Sequence, residues 1–357
     1  MVKKMKIGII TLIGMDNHGN RLQNYALEQV LKDMGHDVKT IYVNRQTNPI
    51  KRMVYRYFSY NGKLEMRNID DICREHNFRK FSKMNSFYIQ YGNNGIIDKE
   101  VNEKFDYFIV GSDQVWNPFF WDKRSKSDEI NYLLSFANPS KRVSYAASIG
   151  IDYIPKEYID VFTKELNQFK GISVRENKAK ELLDSIITKE VNVVLDPTLL
   201  IDAERWRAIS ENYKPRKKYI CVYSLGDISN ENKVLLSDLA KENDCEIVNI
   251  LEGEFYRKGP SSFLSLIDNC EFVFTDSFHA VAFSILFHKP FMVMNRKHSK
   301  GLEMGSRITG LLTSLGIKEN VLVRKVSELY NLNYDEIEFN LDQKRKESIS
   351  FLRDMLT

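Results

Sequence analysis

The stretch EFVFTDSFHAVAFSILFHKPF, residues 271–291, decides the fold. Phe272, Val273 and Phe274 have the length and apolarity of a buried strand, and Thr275-Asp276-Ser277 breaks the run with polar groups. An apolar helix follows, with His279 in its first turn. In an open α/β sheet, a strand's carboxyl end running into a helix N-terminus is where ligands sit. Free N–H groups and the positive end of the helix dipole favour an anion there. A histidine in that turn adds a donor and a proton source. The segment alone is equally consistent with a plain helix start, capped by Asp276 or Ser277, with His279 a satisfied core residue.

Working outward, strands alternate with helices almost throughout. On the amino-terminal side, strands are read at 7–12, 38–43, 107–110, 143–147, 172–174 and 191–195, with helices at 21–34, 156–169 and 177–185. Gly35 sits where a helix stop is expected. A polar linker at 212–218 (NYKPRKK) interrupts the pattern, which then restarts. Strands at 219–224, 246–251, 272–274 and 291–294 alternate with helices at 230–242, 261–268, 279–287 and 306–315. Two such series predict an α/β protein of two Rossmann-like domains facing a cleft. The boundaries expected are 1–212, 213–340, and a last helix within 341–357 that packs back on the first domain.

With 357 residues, two cores are the default expectation. The chain is 43% hydrophobic and 28% charged, which fits an ordered globular protein and argues against disorder. A net charge of +4 is slight for this length and gives no reason to expect nucleic acid. Cys73, Cys221, Cys245 and Cys270 are widely spaced and have no histidine at ligand spacing, as expected of free thiols in a reducing cytoplasm and not of a zinc site. The start MVKKMKIGIITLIGM has a basic lead and a short apolar run but no small-residue cleavage site, so it reads as a first strand. In the segment 49–60, Ile50, Met53, Val54, Tyr57 and Phe58 form an apolar stripe, with Lys51, Arg52 and Arg56 outside it. Core packing is the favoured reading; contact with an anionic membrane at its inner face stays open.

Four loops at strand ends carry the polar and glycine residues that ligand sites use. Asn17-His18-Gly19-Asn20-Arg21 resembles a sugar- or anion-binding turn. In 111–118, Gly111 permits unusual backbone geometry, Ser112, Asp113 and Gln114 offer hydrogen bonds, and Trp116 offers a flat face that suits a sugar. The competing reading is a capped turn with the indole tucked in. Arg175, after the strand 172–174, either pairs with a carboxylate such as Glu176 or grips a ligand anion with its planar fork. The Asp276–His279 turn is the fourth. His18, His36, His76, His288 and His298 show no metal spacing, and neither GxGxxG, a Walker loop, GxSxG nor HExxH occurs.

The ordered segments GNRLQNYALE (19–28), FIVGSDQVWNP (108–118), SYAASIG (144–150), ISVREN (172–177), VLDPTLL (194–200), FTDSFHAVAFSILFHKPF (274–291) and SRITGLL (306–312) resemble the polysaccharide pyruvyl transferase family. The resemblance spans nearly the whole chain. It implies a GT-B-like fold and, with no cofactor, phosphoenolpyruvate as donor substrate. The product implied is a pyruvate ketal on a sugar of a cell-surface polysaccharide or its lipid-linked precursor. It further implies that Arg175 and His279 hold phosphoenolpyruvate. Family members also carry an arginine where this chain has Ser277, and Arg296 or Arg307 are the candidates to replace it; Ala280 stands where glycine is frequent. Asp113 is the first choice as base for the attacking hydroxyl, Asp276 the second, and His279 is the candidate acid. The partners expected are phosphoenolpyruvate and a sugar acceptor, a lipid-linked oligosaccharide being one form. The competing functions are a GT-B glycosyltransferase using a nucleotide sugar and a non-catalytic sugar- or phosphate-binding protein.

Overall fold

The computed structural model describes residues 3–14, 16–44, 58–60, 64–66, 68–91, 95–121, 126–294, 306–317 and 332–357. Parallel pairing organises both halves. In the first, β1 (Lys6–Ile10), β2 (Asp37–Asn44), β5 (Phe87–Tyr91), β6 (Tyr107–Val110) and β7 (Arg142–Ser144) form one sheet in the order β5-β2-β1-β6-β7. A small antiparallel hairpin, β3 (Phe58–Tyr60) and β4 (Leu64–Met66), lies between β2 and β5 in the chain. β8 (Ile172–Val174) pairs with β9 (Val191–Val193), and bridges Val143–Gly171 and Ala147–Val174 lay β8 beside β7. In the second half, β10 (Tyr219–Tyr223), β11 (Glu246–Asn249), β12 (Phe272–Thr275) and β13 (Phe291–Val293) pair in the order β11-β10-β12-β13. All five residues of β10 and all four of β12 are buried, as befits parallel strands covered on both faces.

The helices that frame the cleft are α1 (His18–Asp33), α2 (Ile69–Ser82), α3 (Pro260–Asp268), α4 (Phe278–Leu286) and α5 (Tyr334–Met355). α1 starts at His18, earlier than its apolar pattern indicates, because Asn17 Oδ1 accepts the Asn20 N–H. The apolar core runs through both halves. Leu22 and Tyr25 of α1 share a cluster with Trp206, Phe263 of α3 and Phe283 of α4.

α5 begins at Tyr334 and lies against the first half. Phe351 meets Tyr145 with ring centroids 6.5 Å apart, and Ser348 Oγ accepts the Leu195 N–H at 3.0 Å. Lys170 Nζ reaches the carbonyl of Thr357 at 2.7 Å. Gly171 has no room for a side chain because Met355 covers it: a β-carbon there would be 1.9 Å from the sulfur. Residues 49–57 of the apolar, basic segment lie outside the described residues. No helix among those described is long and apolar enough to cross a membrane.

Candidate active site at the cleft

The site is built around Asp196. After β9, Asp196-Pro197 opens a short 3-10 turn, Pro197–Leu200, in which proline presets the first φ. Asp196 Oδ1 accepts the Thr198 N–H at 3.0 Å and the Thr198 hydroxyl at 2.7 Å. This leaves Oδ2 aimed at the neighbouring strand ends. It accepts Ser112 Oγ at 2.8 Å and Arg175 Nη1 at 2.8 Å, and His279 Nε2 stands 3.7 Å away. Burial pushes the Asp196 carboxyl up. The facing His279 imidazole, the Arg175 guanidinium and the Thr198 N–H outweigh it and hold the group well below the usual carboxylate range. At 3.7 Å the His279 contact is longer than a hydrogen bond.

Arg175 follows β8 and is buried with its guanidinium 4.2 Å above the Phe278 ring. One nitrogen is committed to Asp196; Asp113 Oδ1 lies 3.6 Å from Nη2 and Glu176 Oε2 3.9 Å from Nε. Burial alone would lower its pKa, but the three carboxylates raise it. Among the described residues Nε and Nη2 have no hydrogen-bond partner, although Glu176 and Asp113 face them at ion-pair distance. The partner expected from sequence, Glu176, stands at ion-pair distance through Oε2, while its other oxygen is engaged elsewhere. Its Oε1 accepts Ser148 Oγ and the N–H groups of Ile149 and Gly150.

His279 is the second residue of α4, and its Nε2 is buried without a hydrogen-bond partner. The ring is wedged against Gly19 in the first turn of α1. The amino-terminal ends of two helices, one from each half, therefore meet at this imidazole, and both favour negative charge.

The structure brings Ser112, Asp113, Arg175 and His279 together. Asp113 adopts φ +68 and its Oδ1 also accepts the Gln114 N–H. Gln114 Oε1 accepts Asn117 Nδ2 and covers Gly150. Ser277 precedes α4 and donates its N–H to Thr275 Oγ1, without capping the helix through its side chain. Asn20 and Arg21 are buried in the first turn of α1. Arg307 is half-buried at the start of the helix Ser306–Ser314, and Arg296 lies outside the described residues.

Two expectations are corrected. Trp116 is fully buried, packed edge-on against Phe162 and Phe169 with its Nε1 donating to the Tyr132 carbonyl, so it has no face to offer a sugar. Asp276 turns its two oxygens to the N–H groups of Leu225 and Gly226, each at 2.8 Å. It holds the loop after β10 and is committed to that role. Asp196 is the central residue that sequence reading passed over. Only the crossing of β6, β8 and α4 turns its capping carboxylate into a hub.

The family model described as polysaccharide pyruvyl transferase matches residues 17–298. No curated protein sequence matches the chain. Among solved structures the chain is similar to UGT89C1 of Arabidopsis thaliana complexed with UDP-L-rhamnose, at 9% identity over 100% of both chains with a TM-score of 0.50. It is also similar to the UDP-GlcNAc 2-epimerase of Neisseria meningitidis, at 10% identity over 98% of this chain and 100% of that one, TM-score 0.48. The UDP-GlcNAc 2-epimerase of Methanocaldococcus jannaschii matches at 14% identity over 92% and 94%, TM-score 0.48. The fold is of the GT-B type. At such identities the likeness concerns fold alone.

Proposed function

Because the chain belongs to the polysaccharide pyruvyl transferase family, we propose that it transfers pyruvate from phosphoenolpyruvate to two hydroxyls of a sugar as a ketal, in the making of a cell-surface polysaccharide. The observation that supports this most is the convergence of Arg175 and His279 on one oxygen of Asp196, with Nε and Nη2 of Arg175 and Nε2 of His279 left without hydrogen-bond partners.

In this reading Arg175 takes the donor's carboxylate or phosphate through Nε and Nη2, its side chain pre-organised by Asp196 and Phe278. His279 delivers a proton to the methylene carbon, which becomes a methyl group and leaves oxocarbenium character on the adjacent carbon. A sugar hydroxyl attacks that carbon and gives its proton to a base, for which Asp113 beside Arg175 is the candidate. The carbon–oxygen bond to phosphate breaks, phosphate leaving with the electron pair. A second hydroxyl then adds, loses its proton and closes the ketal. Asp196 acts by orienting Arg175 and His279.

The test is incubation with phosphoenolpyruvate and a panel of sugar acceptors that includes lipid-linked oligosaccharides. The expected result is the pyruvate mass increment on the acceptor, with phosphate release that requires both substrates. Turnover of nucleotide sugars without phosphoenolpyruvate would overturn the reading in favour of glycosyl transfer. Stabilisation by ligands with no turnover on any acceptor would favour a binding protein.

A further inference from the structure

The first turn of α1 collects polar atoms that nothing among the described residues satisfies. Nε and Nη1 of Arg21, Nδ1 of His18 and Oδ1 of Asn20 are all buried without a hydrogen-bond partner. Arg21 is fully buried, and its Nη2 donates to the Leu12 carbonyl at 3.2 Å. Among the described residues no carboxylate forms an ion pair with it. The other buried arginines are provided for: Arg142 has Glu165, Arg74 has the carbonyls of Tyr256 and Asp16, and Arg175 has its three carboxylates.

A buried cation with no counter-charge is costly, and a protein retains one where a ligand supplies the charge. Burial lowers the Arg21 pKa to about 10, which leaves the group cationic at neutral pH. The same turn adds the positive end of a sixteen-residue helix and the N–H groups that have no intrahelical partner. Leu12, Ile13, Gly14 and Asn17, which flank it, are only half-buried.

Helix phase separates this group from the donor cluster. Gly19 faces His279; Arg21, two residues on, leaves the helix about 200° further round its axis. Its guanidinium curls back toward the end of β1, at the loop whose Thr11 hydroxyl donates to the Ser112 carbonyl. The donor cluster itself sets one guanidinium against three carboxylates, so it is poor in positive charge for a phosphate dianion. We propose that the first turn of α1, with Arg21 as its cation, is a phosphoryl-binding subsite adjoining the Arg175–His279 cluster. The phosphoryl group belongs to phosphoenolpyruvate or to a phosphorylated sugar acceptor. Which of these it serves rests on the pyruvyl-transfer reading; the binding itself does not.

The experiment compares the wild type with Arg21→Gln and Arg21→Lys by thermal melting and by calorimetric titration with inorganic phosphate, inorganic pyrophosphate and phosphoenolpyruvate. Arg21→Gln should weaken phosphate or pyrophosphate binding about 10- to 100-fold, as loss of charged hydrogen bonds does. Arg21→Lys should retain part of it. The ligand-free melting temperature of Arg21→Gln should be equal to or above that of the wild type, because an unpaired buried charge has gone. A lowered melting temperature with unchanged phosphate affinity would show a structural arginine and overturn the proposal. In steady state, a raised KM for phosphoenolpyruvate alone identifies the donor phosphate. A raised KM for a phosphorylated acceptor, but not for its unphosphorylated counterpart, identifies the acceptor's. If neither KM moves, the subsite does not serve the reaction and the proposal falls. Were the wild type inactive with phosphoenolpyruvate yet able to bind phosphate through Arg21, the pyruvyl-transfer reading would fail and the subsite would stand.

Discussion

Gly19 and His279 come from opposite halves of the chain and touch so closely that a β-carbon at position 19 would lie 2.1 Å from Nδ1 of the imidazole. That gap decides the effect of Gly19→Ala. Helix propensity favours alanine by at most about 1 kcal/mol. Displacing a packed ring costs about 1–3 kcal/mol and moves the proposed acid off its position. The expected outcome is a folded protein with pyruvyl transfer reduced about 100-fold, since a shift near 1 Å at a reacting group has that scale. Circular dichroism together with single-turnover rates checks it; wild-type rates in Gly19→Ala would remove His279 from the chemistry.

Asp196 carries a second prediction, with a definite sign in pH. Its folded pKa lies below the unfolded value, so it contributes stability that is fully present above the ordinary carboxylate pKa of about 4. That contribution is lost as the pH falls through the folded pKa. Asp196→Asn should therefore destabilise the protein at pH 7 by about 3–5 kcal/mol, because Arg175 loses its closest counter-charge in a buried site. The difference between wild type and variant should shrink as the pH is lowered below about 4. Melting curves from pH 7 downward decide the point; a gap that stays constant into acid would show that the carboxylate charge contributes nothing.

Trp116 separates a core role from a sugar platform. Trp116→Ala should cost about 3–5 kcal/mol, since it empties a site walled by Phe162 and Phe169 and removes the donor to Tyr132. At a temperature where the variant is still folded, its KM for any acceptor should match the wild type. A selective rise in acceptor KM would restore the indole to the binding surface.

What the sequence revealed follows a physical boundary. The alternating architecture was readable because parallel strands buried on both faces, such as Tyr219–Tyr223, are continuous apolar runs. β5 and α2 were not, since neither carries that signal. β5 is the edge strand, and its Ile89 is 53% exposed. α2 buries Arg74, which is satisfied by carbonyls of Tyr256 and Asp16 that no local pattern announces. The strand-end loops carrying Asp113, Arg175 and His279 were readable for what they offer, but their wiring was not. Asp196 binds groups 84 and 21 positions away, and those contacts exist only after β6, β8 and α4 have met. The same holds for Trp116, whose burial depends on Phe162 and Phe169 closing over it from later in the chain.

The C-terminal helix reaches the same hub through one hydroxyl. Ser348 Oγ accepts the N–H of Leu195, the residue before Asp196, and donates to the Lys344 carbonyl within its own helix. Tyr145 closes the other side by donating its hydroxyl to the Leu195 carbonyl. The turn that aims Asp196 is thus held from α5, which comes last in the chain. Ser348→Ala keeps the helix but leaves a buried N–H without an acceptor, a loss of about 1–3 kcal/mol. Because Leu195 is bonded directly to Asp196, kcat should fall while the KM for phosphoenolpyruvate changes little, Arg175 being still supported by Phe278. Ser348→Thr, which preserves the acceptor oxygen, should recover the rate. Stability lost with no change in kcat would confine α5 to packing and detach it from the site.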